Sequence, residues 1–400
     1  MKRRLIVAAL IVPLLLSLMP YPACVEPDFI RFGFVAVDNG VWTEMNPADC
    51  PVARFDSPLV YDSESDRVIM YGGHQGRDIG MLNDTWAYDY ETDTWTDMSP
   101  TIAPSARASY MMAYDSESDV VILFGGHIRI DETIGHVCHN DTWAYDYDSN
   151  TWTNMNPPLA PTARVYSAVA YDSESDRIII FGGILEGTVL ASDTWAYDYN
   201  TNTWEEMDPS TQPSTRFHMS VAYNSEADLI ILFGGSRPSL QRDTWSYDYN
   251  ADNWTRLSPD SRPVEQSGHM TYDPVTDQCI FFGGYFGSDE TILSSATWAY
   301  DYSTNNWTVL ETSVAPLNRA RAPIVYDVDS ERVIMFGGIG PEEDFALLYN
   351  DTWAFDVIEE VTTTTTTTPP DGGIDVTIVV LAVLVTVGVL AVLVVFVRRK

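Results

Sequence analysis

The sequence predicts an all-β chain in which six four-stranded units close into a ring, and three observations carry that prediction. Six Gly-Gly pairs begin at Gly72, Gly125, Gly182, Gly234, Gly283 and Gly337. Each is followed 10 to 17 residues later by a Trp within Thr-Trp-(Ala/Ser)-(Tyr/Phe)-Asp, namely Trp86, Trp143, Trp195, Trp245, Trp298 and Trp353. Self-similarity at a period of about 50 residues marks a repeat architecture. In the first five units a second Trp follows nine residues further on, at Trp95, Trp152, Trp204, Trp254 and Trp307. The sixth unit has Thr362 there, and the missing piece lies at the start of the chain. Trp42-Thr43-Glu44-Met45-Asn46-Pro47 repeats Trp95-Thr96-Asp97-Met98-Ser99-Pro100 and Trp152-Thr153-Asn154-Met155-Asn156-Pro157. A linear array does not need its last unit completed by its first; a closed ring does.

The third unit shows how the elements follow one another. Tyr166 to Tyr171 alternates as a short strand, and Asp172-Ser173-Glu174-Ser175-Asp176 is a polar turn. The β-branched run from Arg177 to Phe181 is a second strand that ends at Gly182-Gly183. After a variable loop, Thr194 to Tyr199 forms a third strand, Asn200-Thr201-Asn202 turns the chain, and Thr203 to Met207 forms the fourth. Short strands with regular turn signals are the all-β pattern. Sheets this small cannot bury both faces singly, so they stack around an axis. These residues together resemble kelch repeats over roughly residues 33 to 357. The resemblance implies a six-bladed kelch-type β-propeller closed by an N-terminal outer strand.

The flanks read differently. Residues 1–23 combine Lys2, Arg3 and Arg4 with an apolar stretch from Leu5 to Met19 and a small-residue exit at Ala23, the pattern of a secretory signal peptide. Residues 358–373 contain a threonine run and Pro-Pro-Asp-Gly-Gly, which suits an extended stalk. Residues 374–397 are apolar except for Asp375 and two threonines, and Arg398, Arg399 and Lys400 follow, so the sequence predicts one transmembrane helix with a short cytoplasmic tail at 398–400. The expected location is the cell membrane, with the bulk of the chain outside. Between residues 24 and 373 there are 16 Arg, no Lys and 56 Asp plus Glu, a formal charge of −40. Such a surface repels nucleic acid, which is rejected as a partner.

Candidate sites fall on the two faces of the ring. Arg54, Arg107, Arg164, Arg216 and Arg319 sit seven residues before the closing Tyr of each first strand, and Glu265 takes that place in the fifth unit. Because first strands line the axis, this series predicts a ring at the channel mouth. It either captures a carboxylate-bearing ligand or braces adjacent blades. Cys279 replaces an apolar strand residue and is expected as a buried thiol, and Cys24 lies beside the cleavage site. Cys50 and Cys138 fall in loops on one face and are expected to form a disulfide. The competing reading is a zinc site from His127, His136, Cys138 and His139. Asp62-Ser63-Glu64-Ser65-Asp66 and its repeats could offer oxygens to Ca²⁺, although Asp and Ser are also favoured turn formers. Asn253 and Asn306 begin Asn-Trp-Thr sequons and are candidate N-glycosylation sites. His218 and His269 read as ordinary strand residues.

The function these features favour is cell-surface recognition of an extracellular protein or glycan through the variable-loop face. The alternatives are a propeller enzyme resembling the galactose oxidase-like copper enzymes, or a passive component of the cell envelope. Those copper enzymes have a seven-bladed ring with a Tyr-Cys cross-link, which six units and a strand-core Cys279 do not match.

Overall fold

A computed structural model describes residues 39–76, 80–131, 135–236, 241–286, 292–341, 347–358, 360–367, 376–383 and 394–398, with backbone only at 129–136 and from 360 onward. The predicted signal peptide and Cys24 lie outside the described residues.

Six antiparallel four-stranded blades make the ring. Blade one is Leu59–Asp62, Arg67–His74, Met81–Asp89 and Thr94–Asp97, from inner to outer edge. Blade two is Met111–Asp115, Val120–Phe124, Thr142–Asp146 and Thr151–Asn154. Blade three is Ala168–Asp172, Arg177–Leu185, Val189–Asp198 and Thr203–Met207, with Arg164–Val165 added beside its second strand. Blade four is Ser220–Asn224, Leu229–Phe233, Thr244–Asp248 and Asn253–Leu257. Blade five is His269–Asp273, Gln278–Phe282, Thr297–Asp301 and Asn306–Leu310. Blade six is Ile324–Asp327, Arg332–Phe336 and Thr352–Val357, and its outer strand is Gly40–Met45 from the other end of the chain. Trp42 sits opposite Phe355 in that pairing, as the sequence predicts. Each first strand packs against the first strands of the blades before and after it, and blade six meets blade one.

The burial pattern follows from the stacking. Second strands are covered on both faces, so Val120–Phe124 and Arg332–Phe336 are apolar almost throughout and fully buried. Outer strands bury their Trp and expose its neighbours, as in Thr94–Asp97. Burying such an aromatic is worth about 1.5–3 kcal/mol. Each outer-strand indole also ties its blade to the preceding one. Trp95, Trp152, Trp204, Trp254 and Trp307 donate from Nε1 to Oγ1 of Thr352, Thr85, Thr142, Thr194 and Thr244 at 2.9–3.1 Å. Trp42 donates to Thr297 at 2.9 Å, which completes the sixth latch. The repeated geometry thus assigns one inter-blade hydrogen bond per blade to the outer-strand Trp.

Gly-Gly is required where the second strand turns inward. Gly73 has φ +104°, and its N–H donates to the carbonyl of Arg107 in the next blade at 3.0 Å. A Cβ there would stand 2.7 Å from Cβ of Ser57. Gly338 repeats the contact on Arg54 at 2.9 Å and closes the ring from blade six to blade one.

The membrane helix expected at 374–397 is not found among the described residues. Val376–Val383 is a strand between Glu360–Thr367 and Val394–Arg398, and no described helix is long and apolar enough to cross a membrane. The segment is rich in Val, Ile and Thr, whose β-branched side chains favour the extended backbone.

Candidate functional site

The arginine series is buried rather than open to the channel. Arg54, Arg107, Arg164, Arg216 and Arg319 are at most 1% exposed. In each, Nε donates to a carbonyl two residues back, and Nη1 donates to the carbonyl of the blade's first Gly of the pair. Both terminal nitrogens then grip one carboxylate, in the order Asp84, Asp141, Asp193, Asp243 and Asp351, with closest contacts of 2.6–2.7 Å. The same carboxylates accept Nε1–H from Trp86, Trp143, Trp195, Trp245 and Trp353 at 2.7–2.8 Å. Burial works to raise the carboxyls of Asp84, Asp141, Asp193 and Asp243, but the arginine and indole donors outweigh it and hold them below the ordinary carboxylate range. With every fork engaged, the series cannot capture an outside carboxylate. That binding expectation is corrected: the arginines join first, second and third strands within a blade.

Glu265 is a compensated departure. Blade five has Ala296 where the other blades have the paired Asp. Glu265 accepts from Trp298 Nε1 at 3.2 Å, from the Ser294 hydroxyl at 3.1 Å and from the Val264 N–H at 3.1 Å. The indole donor is therefore satisfied by a carboxylate from the segment that leads into the blade's first strand.

Two residues beyond each member of that series the chain turns to the axis. The residue in between first makes a bridge or strand pair to the residue after the Gly-Gly, as Phe55 does with His74 and Val165 with Ile184. The axial residues are Asp56, Ser109, Tyr166, His218, Ser267 and Arg321, and all have φ between 51° and 58°. Left-handed backbone costs a residue with a Cβ about 1–2 kcal/mol. None of the six is Gly or Asn, only Asp56 and His218 are of types enriched in this region, and no two neighbours around the ring are alike.

They line one cavity of about 170 Å³, walled below by Leu59, Met112, Val169, Met219, Met270 and Ile324. Arg321 Nη1 lies 3.3 Å from Asp56 Oδ2, and the Ser109 hydroxyl donates to the same oxygen at 3.1 Å. Burial opposes ionisation of Asp56, but Arg321 foremost holds its carboxyl below the usual range. The His218 ring meets Tyr166 edge-on with centroids 4.0 Å apart, and Arg321 stands 5.7 Å from the Tyr166 centroid. Nε2 of His218 is shut off from solvent and has no hydrogen-bond partner. Burial, with the nearby Arg321 charge, lowers the His218 pKa to about 3. Burial likewise lowers His269 to about 4. Both imidazoles are neutral at pH 7. The sequence treats them as ordinary strand residues; the fold brings both to the axis, and His218 precedes its strand.

Other expectations resolve as follows. Cys50 and Cys138 are free thiols, so the expected disulfide is corrected. Cys50 Sγ accepts from Asn350 of blade six at 3.3 Å, whereas burial and the Glu186 carboxylate of blade three raise the Cys138 thiol. The two thiols thus face opposite neighbouring blades. Cys279 is a buried thiol. His127 pairs with Cys138 in a hairpin that branches from blade two, and the His136 side chain lies outside the described residues. Among the described residues no three His, Cys, Asp or Glu side chains converge as metal ligands, at this hairpin or in the acidic turns. The acidic turns use their carboxylates locally: Asp62 Oδ1 accepts from the N–H groups of Glu64 and Ser65, and Asp66 accepts from Tyr61. Asn253 and Asn306 start outer strands opposite Asp248 and Asp301, and Asn253 also accepts from Ser210.

Residues 27–235 and 176–388 each match a family model described as the KLHDC2/KLHL20/DRC7 Kelch-repeats domain. The chain is similar to Kelch domain-containing protein 1 of Mus musculus, 25% identical over 188 residues, which is 45% of this chain and 41% of that protein. It is similar to the dynein alpha chain, flagellar outer arm, of Chlamydomonas reinhardtii, 26% identical over 325 residues, 72% of this chain and 7% of that one. It is also similar to Adagio protein 3 of Arabidopsis thaliana, 27% identical over 175 residues, 42% of this chain and 27% of that protein. The chain spans less than half the length of each of these relatives.

Proposed function

The chain belongs to the kelch-repeat family, and from that premise we propose that it is a non-enzymatic binding protein whose ligand, a protein or a glycan, docks over the axial pocket and the unequal loops around it. One observation carries the reading. The inter-blade latch repeats in all six blades and the Arg–Asp latch in five, while five residue types fill the six axial positions and keep a left-handed backbone. Variable groups held by a rigid scaffold are where recognition resides. The described residue after each Gly-Gly pairs with the one just before an axial position, so the loops start beside the pocket and ligand contact can extend outward from it.

Surface display is part of the proposal and rests on the sequence. The basic, apolar start and the apolar segment 374–397 with its basic end suit export and membrane attachment. Protease treatment of intact cells tests display, and full protection of the propeller would contradict it. For binding, the full chain is screened on protein and glycan arrays beside Tyr166→Ala and His218→Gln. A ligand held by the parent and lost from both variants is expected. Full retention by both would remove the axial pocket from the account, and absence of any ligand would remove binding.

A further inference from the structure

The geometry points to a neutral, hydroxyl-bearing ring, a single pyranose residue, as the guest of the axial pocket formed by Asp56, Ser109, Tyr166, His218, Ser267 and Arg321. This inference rests on the binding role proposed above and narrows it to a ligand class.

Charge comes first. Asp56 and Arg321 neutralise one another as an ion pair at 3.3 Å, and the two imidazoles on the pocket wall are uncharged at pH 7. The titratable lining therefore sums to zero: one negative, one positive, and neutral Tyr110, Tyr166, His218 and His269. A carboxylate or ammonium guest would enter without an available countercharge, or would have to break the pair and leave a buried ion unmatched. Anionic guests also face the −40 charge of residues 24–373 on approach.

Hydrogen bonding comes second. Hydroxyl groups both donate and accept, and so need partners of both kinds. The pocket supplies the acceptor Asp56, the donor Arg321 and the ambivalent hydroxyls of Ser109, Ser267 and Tyr166. Nε2 of His218 lacks a partner and is shut off from solvent, so it meets a hydroxyl guest only when the ring turns toward the cavity. A purely apolar guest would leave it unpaired.

Size and shape come third. A cavity of about 150 Å³ takes a six-membered carbon ring, and this one encloses about 170 Å³ and opens to one side, with room there for ring substituents. The methionine and aliphatic wall beneath the polar ring suits the C–H face of such a guest, and Tyr166 adds aromatic carbon at the rim.

The test uses the full chain in detergent micelles, titrated with methyl glucopyranoside, methyl galactopyranoside and methyl mannopyranoside by ligand-observed NMR. Glucuronate serves as the charged counterpart, and an acidic peptide as the macromolecular alternative. At least one neutral pyranoside is expected to bind. Its affinity should fall by about tenfold in Tyr166→Ala and in His218→Gln, the loss of one well-placed contact to a buried partner. Glucuronate should bind about tenfold more weakly than the neutral sugar. An oligosaccharide ending in the same residue separates the sources: tighter binding than the free pyranoside identifies a glycan terminus, and equal binding identifies the free sugar. Preference for glucuronate overturns the inference. Binding of the peptide alone, abolished by the axial variants, overturns the sugar reading and leaves the binding role standing. If no probe or array ligand responds to the axial variants, both fall. Far-UV circular dichroism of each variant, unchanged from the parent, excludes misfolding as the cause.

Discussion

The blade turns and the axial ring adopt the same left-handed backbone, the turns almost wholly with Asp and Asn, the ring with Asp56 alone of those types. At the tips between first and second strands, and between third and outer strands, the left-handed positions are Asp66, Asp93, Asp119, Asn150, Asp176, Asn202, Asp228, Asp252, Asp277 and Asn305, with Glu331 in blade six. Asp and Asn tolerate this conformation, and here most also accept a hydrogen bond from a Tyr hydroxyl five residues earlier. The axial ring adds Ser, Tyr, His and Arg to Asp56 in that region, with no Tyr latch five residues back; the N–H groups of Ser109, Tyr166 and His218 donate instead to the axial carbonyl of the preceding blade at 3.1–3.3 Å. The turns are built for stability, and the axis keeps chemistry at the expense of stability. Much of the negative charge of the chain is therefore turn chemistry.

Breaking a scaffold contact should have the largest effect. Arg164→Met leaves the Asp193 carboxylate with the Trp195 indole but no countercharge, and the Gly182 carbonyl with the Ser167 hydroxyl alone. A loss of about 3–5 kcal/mol is expected in chemical denaturation. A change within experimental error would show that the ion pair is dispensable.

Acid should act next, and through the axis. His218 and His269 take up protons in the folded state only near pH 3 and 4, whereas an unfolded chain does so near pH 6.5. The unfolded state binds more protons between those values, so stability is complete above about pH 6.5 and falls as pH drops. The slope approaches about 1.4 kcal/mol per pH unit for each imidazole. The groups nearest them, Asp56, Arg321 and Tyr166, keep their charge states from pH 7 to 5. Denaturation midpoints over that range, compared with a His218→Gln, His269→Gln chain, check this: the double variant should lose most of the slope.

Blade five offers a smaller test of how the scaffold tolerates a departure. Glu265→Arg alone puts a guanidinium beside Ala296 with no carboxylate to meet it. Adding Ala296→Asp restores the pairing of the other blades. A double-mutant cycle should give a favourable coupling of about 1–3 kcal/mol. Zero coupling would mean that blade five does not use the same geometry.

The repeat and the ring closure were legible in the sequence because each needs a rare residue at a fixed spacing. Twelve Trp and six Gly-Gly pairs leave few other arrangements, and Trp42 is unexplained without closure. The arginine series was legible as a position, but its role was not. Each partner Asp lies 27 to 34 residues away, and only the sheet register brings Asp84 beside Arg54 or Asp243 beside Arg216. The axial site was missed because five residue types fill its six positions. The available signal was positional: the residue two beyond each Arg or Glu differs at almost every repeat while its surroundings do not. His218 and His269 looked isolated because they lie in different blades, and the axis unites them. The Cys50–Cys138 pairing failed because placing both residues in loops of one face does not determine which neighbouring blade each approaches.

The central claim is that the scaffold and the axial ring are separable, and the unfolding midpoint of one variant tests it most directly. The variant replaces Asp56, Ser109, Tyr166, His218, Ser267 and Arg321 together by Gly in the full chain. Relief of about 1–2 kcal/mol of left-handed strain at each position offsets the entropic cost of Gly and the lost side-chain packing. The Asp56–Arg321 pair is removed whole, so neither ion is left buried without its partner. The account predicts a folded ring with a midpoint close to that of the parent. A loss as large as that of Arg164→Met, about 3–5 kcal/mol, would contradict it and make the axial residues part of the scaffold.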